Sequence, residues 1–196
     1  MEITESLKAE HRVIEKYLVA LDSLGEALLR GEDVPLDLIM ETALLIRECA
    51  HKYHQAKEEM LLFPFLDEHI GESSRNSLQK LMEDHSESRA HVRSLLRHVE
   101  KLEKDQFGEG RQPIVKQLTS AARSCSSALR RHILREDRAL FPTVEKKLTE
   151  SQKRWMWEKL EEFEDERHGQ PDLDYFEQNA RQLMIRVADV VNRVKA

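Results

Sequence analysis

The sequence predicts an all-α protein: an antiparallel up-down four-helix bundle over residues 1–148, then a pair of helices over residues 149–196 packed on the same domain. Two observations carry this expectation. Glycine and proline are scarce, six and five in 196 residues, which favours long helices over a turn-rich β fold. Apolar residues recur in steps of three and four along six segments, and most of the glycines and prolines fall between them.

The first helix is expected from about residue 4 to Arg30, closed by Gly31, with Leu7, His11, Ile14, Leu18, Leu21, Gly25 and Leu28 on one stripe. The second begins near Pro35, a residue suited to a first helical turn, and runs to Phe63-Pro64, where the proline should kink or end it. Its stripe is Ile39, Ala43, Ile46, Ala50, His54, Glu58, Leu61 and Phe65. The third follows Gly71 and Ser73 and stops before Gly108 and Gly110, carrying Leu78, Leu81, His85, Ser88, Val92, Leu95, Val99 and Leu102. The fourth starts near Pro113 and reaches Phe141-Pro142, with Ile114, Leu118, Ala121, Cys125, Ala128, His132, Glu136 and Ala139. A fifth spans roughly Ser151 to Arg167, closed by His168 and Gly169, where a cation suits the helix dipole. The sixth follows Pro171 and repeats Leu173, Phe176, Ala180, Leu183, Val187, Val190 and Val194, a stripe that must bury against the bundle or a second copy.

Composition removes several functions. The formal charge is −6 with both signs interleaved, so no basic stripe offers a nucleic-acid footprint. No apolar run is long enough to span a membrane. The start, MEITESLKAEHR, has no signal-peptide pattern, and Cys49 and Cys125 sit alone in helical stretches, so a reducing cytoplasm is expected. Neither cysteine belongs to a C-x2-C pair, which excludes a zinc knuckle or dithiol motif.

The informative feature is an internal repeat. HQAKEEMLLFP (His54 to Pro64) and HILREDRALFP (His132 to Pro142) share five of eleven positions, and Lys57/Arg135 and Glu59/Asp137 are conservative matches. Upstream of each lies an acid-His pair, Glu10-His11 and Asp84-His85. Helices one and two therefore read as one half, three and four as its twin, related by a pseudo-twofold axis. Six ionisable residues fall on the core-facing stripes: His11, His54, Glu58, His85, His132 and Glu136.

Buried carboxylates are strongly disfavoured unless paired or bound to a cation. His54 with Glu58, and His132 with Glu136, stand one turn apart on one face, so each pair can serve a shared two-metal site, with one further imidazole from His11 and from His85. Mixed imidazole and carboxylate without thiolate suits iron or manganese, with zinc a further option. Open coordination positions would admit O2, peroxide or NO.

These motifs resemble the hemerythrin-like (HHE cation-binding) family over about residues 4–148. The resemblance implies a four-helix bundle with a centre of two non-haem iron ions, bridged by an oxo or hydroxo group. Oxygen-carrying members have a fifth His in an H-x3-H on the third helix; here the flanking positions are Leu81 and Arg89. The four-His, two-Glu set looks more like the di-iron domain of the RIC (repair of iron centres) proteins, implicated in nitric-oxide and oxidative stress. Those usually carry a cysteine-containing N-terminal domain, for which this sequence shows no counterpart.

The expected function is binding or sensing of a small diatomic or peroxide ligand. The alternatives are peroxide or NO turnover, iron donation to damaged iron-sulfur clusters, and iron storage. The chain is expected to be a monomer or homodimer, with no nucleic-acid or membrane partner. His51, one turn before His54, is a candidate addition to the metal shell. Asp137 is an alternative to Glu136, which the symmetry with Glu58 favours. His69, His91 and His98 read as surface residues, Phe63 and Phe141 as an aromatic plug, and one of Trp155 and Trp157 as core.

Overall fold

The structure, a computed structural model, describes residues 3–105, 110–167 and 169–192, with side chains for all of these except 72–74. His168, Gly108 and Val194, each used in the sequence reading, lie outside the described residues. The described elements are all helical: α1 (Ile3–Leu29), α2 (residues 36–70), α3 (Glu72–Lys104), α4 (residues 111–147), α5 (Glu150–Glu166) and α6 (Leu173–Asn192). None of them is long and apolar enough to cross a membrane.

Local chemistry sets the helix ends. Gly31 takes φ +81° after α1, and the N–H groups of Gly31 and Glu32 donate to the carbonyls of Leu28 and Ala27, closing the last turn. Gly71, at φ +83°, is the single residue between α2 and α3, so the chain reverses in a backbone region that a side chain would disfavour. Thr149 and Gln152 form a reciprocal capping box at the start of α5.

Helices α1 to α4 close into a ring in which each packs on its neighbours in the chain and α1 packs on α4. The whole expected α3 stripe is buried, from Leu78 to Leu102. Helix α6 lies along α1. Its Phe176, Ala180, Leu183 and Val187 join the core, and the Tyr17 hydroxyl donates to the Phe176 carbonyl at 2.6 Å. Burying a side chain such as Phe176 contributes roughly 1.5–3 kcal/mol.

The apolar core is in two parts. The larger runs from Val13 in α1 to Val187 in α6. The smaller gathers Ile3, Leu7, Leu62, Phe63, Leu66, Leu81, Leu140 and Phe141 with Met156 and Leu160 of α5. Between them lies a layer of buried polar groups that includes His11, His54, Glu58, His85, His132 and Glu136.

Two sequence expectations change here. The prolines do not end α2 or α4. Both helices open into a π-helical turn, at Glu58–Leu62 and Glu136–Leu140, before resuming as α-helix at Phe63 and Phe141. The Phe63 N–H donates to the Glu58 carbonyl, and the Phe141 N–H to that of Glu136, five residues back in each case. Pro64 and Pro142 then fall in the first turn of a resumed α segment, where a missing N–H costs little. The extra residue in each wide turn also moves the buried face. Leu62 and Leu140 are buried, whereas Leu61 is half-buried and Ala139 exposed. Along α5 the buried residues are Met156 and Leu160. Trp155 is exposed and stacks on Phe65, and Trp157 is only partly covered.

Candidate metal centre

The wide turns begin at Glu58 and Glu136, which sit at opposite sides of the polar layer with both carboxylates fully buried. α1 and α3 bring His11 and His85 to the same level, and α2 and α4 bring His54 and His132. The donor atoms fall into two overlapping groups, His11, His54, Glu58, Glu136 and Glu58, His85, His132, Glu136, each within 4.8 Å of one another. All six sequence-predicted residues are therefore together, and the two carboxylates are common to both groups.

Distances within the layer are those of a coordination cage. The Nε2 atoms of His11 and His54 are 3.0 Å apart, as are those of His85 and His132. Glu136 Oε2 is 3.2 Å from the Nε2 atoms of His11 and of His132, and Glu58 Oε2 is 3.2 Å from His85 Nε2 and 3.5 Å from His54 Nε2. Metal–ligand bonds of roughly 2.1 Å put neighbouring donors about 3 Å apart.

The outward nitrogens explain why the inward ones are available. His11 Nδ1 donates to Asp137 at 2.8 Å, His54 Nδ1 to Glu10 at 2.8 Å and His85 Nδ1 to Glu59 at 2.6 Å. A carboxylate only accepts, so Nδ1 carries the proton and the Nε2 lone pair faces inward. Two such lone pairs 3.0 Å apart repel unless an electrophile lies between them. His132 differs: Asp84 Oδ2 stands 3.9 Å from its Nδ1, beyond hydrogen-bond range.

Charge points the same way. Each outer carboxylate has its own cation: Glu10 with Lys57, Asp137 with Arg12, Glu59 with Arg89 and Asp84 with Arg135. Lys57 is itself buried, 2.6 Å from Glu10, paired with Glu164 of α5 and 3.6 Å above the Tyr53 ring. Glu58 and Glu136 have no Lys or Arg partner among the described ion pairs, and none of their four carboxylate oxygens has a hydrogen-bond partner. Unpaired buried carboxylates are expensive; a cation among the imidazoles removes the cost.

Burial alone would raise the Glu136 carboxyl, but His132, His11 and His54 hold it well below the usual range. Burial would lower His132, yet Glu136 and Asp84 push it up to about 10. His54 likewise lies well above the ordinary value, with Glu58 and Glu10 outweighing burial. Protons and metal cations thus compete for the same donors.

Phe141 stacks on His11 and Phe63 on His85, each with ring centroids 5.5 Å apart, which places the expected aromatic plug on the smaller core's side of the layer. His51 is buried but belongs to neither donor group. It faces Ser88 Oγ at 3.4 Å and is held down to about 3 by burial and by Arg89. Asp137 serves His11 from outside, not the cage. Arg89 binds Glu59, and Leu81 is apolar core. His91 and His98 bond to groups on their own helix, and His69 is exposed.

In the sequence reading Glu10, Glu59 and Asp84 have no supporting role, and Asp137 is weighed only as an alternative ligand to Glu136. Their signal is the repeat itself, which places an acid before each upstream His and after each H-x3-E. Lys57 and Arg135 are legible there too, as a conserved cation. Tyr53 and Glu164 carry no such signal.

Comparison with curated proteins gives no match. The model of the hemerythrin HHE cation binding domain matches residues 2–144, which span all six converging side chains and both LFP turns. With that match over most of its length, and with a helical ring built around two His/Glu donor groups, the chain belongs to the hemerythrin HHE cation-binding domain family.

Proposed function

We propose that this chain holds two iron ions, one on His11 and His54 and the other on His85 and His132, with Glu58 and Glu136 shared by both. The observation that carries the reading is the pair of fully buried carboxylates without hydrogen-bond partners, ringed by four inward imidazole nitrogens. When bound, such an iron pair would supply the electrons for binding or reducing O2, peroxide or NO.

The residues around it have separable tasks. Asp137, Glu10 and Glu59 fix three imidazoles in the tautomer that offers Nε2. Phe63 and Phe141 exclude water from one side. Leu81 and Arg89 supply no further imidazole, so the two ions would have the same protein ligands, two His each. That equality favours reaction with the small molecule over reversible carriage. The free, buried Cys49 and Cys125 suit a reducing cytoplasm.

Metal analysis of the iron-loaded chain tests the centre: content should match the two donor groups, and a chain that takes up no iron sinks the reading. Stopped-flow mixing of the reduced, loaded protein with O2 tests the reaction. Rapid oxidation that is not undone by removing O2 is expected; an adduct that reverses on deoxygenation would establish carriage instead.

A further inference from the structure

The pseudo-twofold relation leaves one groove filled and its twin hollow. In the first half, α5 lies against α1 and the wide turn at Glu58–Leu62. Met156 and Leu160 are buried in one cluster with Ile3, Leu7, Leu62 and Phe65, Trp155 stacks on Phe65 at 5.0 Å, and Glu164 pairs with Lys57. The offsets that take His11 to His85 and His54 to His132 carry these groove positions to Ser77, Leu81, Leu140, Thr143 and Arg135. There, in place of a helix, lies a cavity of about 490 Å³ lined by those residues together with Lys80, Ala139 and Lys147.

Side-chain size accounts for the difference. Where the first half has Ile3, Leu61 and Phe65, the second has Ser77, Ala139 and Thr143. These exchanges remove the apolar bulk on which a helix packs and turn the groove into a pocket. Leu81 and Leu140 remain as its apolar wall. Its charged lining is Lys80, Arg135 and Lys147, with no carboxylate among the described lining residues, although Lys80 pairs from there with Glu83 and Asp84 and Arg135 with Asp84. The volume is that of a small-molecule site.

We propose that this pocket binds an amphipathic organic anion: an alkyl chain of medium length ending in a carboxylate. The alkyl part covers Leu81 and Leu140. The carboxylate sits at Arg135, the place that Glu164 takes against Lys57 in the other half. Arg135 already holds Asp84, but a guanidinium has five donors in a planar fork and can serve two carboxylates.

Calorimetric titration of the full, metal-loaded chain with decanoate below its micelle concentration tests this. Decanoate should bind, whereas acetate, which lacks the chain, and decanol, which lacks the charge, should bind at least about tenfold more weakly. Arg135→Gln should weaken decanoate about tenfold. Thr143→Phe restores the twin's bulk and should abolish binding with helix content and metal content unchanged; Ala139→Leu gives the same test if the first variant fails to fold. No decanoate binding, or binding that survives both filling variants, overturns the proposal. So does binding of a peptide copying Glu150–Glu166 by a chain that ignores decanoate, which would make the groove a helix-docking site.

Discussion

The His11/His54 half and the His85/His132 half share an inner geometry and differ in what stands behind it. Each presents two Nε2 atoms 3.0 Å apart, and each has a phenylalanine stacked at 5.5 Å. Behind His54, however, Glu10 bonds at 2.8 Å and is backed by a fully buried lysine that α5 covers. Behind His132, the shorter Asp84 falls short at 3.9 Å and is backed by a half-exposed arginine beside an open pocket. One methylene separates a sealed support from a loose one. The inner ligands tolerate no such drift, because both halves draw on the same two carboxylates.

The largest effect should come from destroying what the halves share. Glu136→Ala is expected to abolish metal retention in both halves, whereas His11→Ala should empty the first and leave the second partly loaded, as read by metal content after desalting. Equal losses in the two variants would show that the halves do not bind separately. Next comes the contrast between supports. Glu10→Gln leaves buried Lys57 with Glu164 as its one carboxylate partner and should cost about 1–3 kcal/mol of stability in the metal-free chain, by urea unfolding. Metal affinity should fall about 10–100-fold. Asp84→Asn, acting where no hydrogen bond reaches His132, should cost markedly less on both measures.

Acidity sharpens the same comparison. Burial alone would raise Asp84 and Glu59, but His132 and Arg135 hold Asp84 down to about 2, and His85 and Arg89 hold Glu59 down to about 2. Depressed carboxyls contribute stability that is present above their unfolded values and lost as pH falls through the folded ones. The metal-free chain should therefore weaken from roughly pH 4.5 to 2, and less so in Asp84→Asn. With His132 raised to about 10, metal uptake at neutral pH should release protons, and apparent affinity should climb with pH. A pH indicator in weak buffer reads this directly. The smallest effect is expected from Asp84→Glu, which lengthens the loose support; a severalfold slower loss of metal from the second half is predicted.

Much of this was legible in the sequence, for a physical reason. Helical burial repeats every three to four residues, so six charged or polar groups on apolar stripes announce a polar layer before any coordinates exist. Duplication of H-x3-E with an upstream His marks the six side chains whose donor atoms converge in that layer. The wide turns were not legible: Leu61 and Ala139 continue the α periodicity on paper, and only the packing of Leu62 and Leu140 reveals the extra residue. Of the two tryptophans, which point to different faces of α5, Trp157 packs half-buried against the smaller core and Trp155 stays exposed, while the flexible Met156 fills the gap beneath the helix. The asymmetry of the supports was visible as Glu10 against Asp84, but its meaning required a distance.

The one-residue surplus at Glu58–Leu62 and Glu136–Leu140 has a consequence for how such a chain can change in length. Each residue turns an α-helix by about 100°. Deleting Leu61 or Ala139 would give a more regular helix and swing everything beyond it, Phe63 and Leu66 or Phe141 and Val144, out of the smaller core. Helix α2 has a second π-helical stretch at Arg47–His54; in the α-helical segments of both helices a deletion rotates one end away from the other with no surplus turn to absorb it. The wide turns therefore act as a gear change between two rotational registers, one that aims donors at the cage and one that seats the apolar end, and neither register can be re-cut without the other.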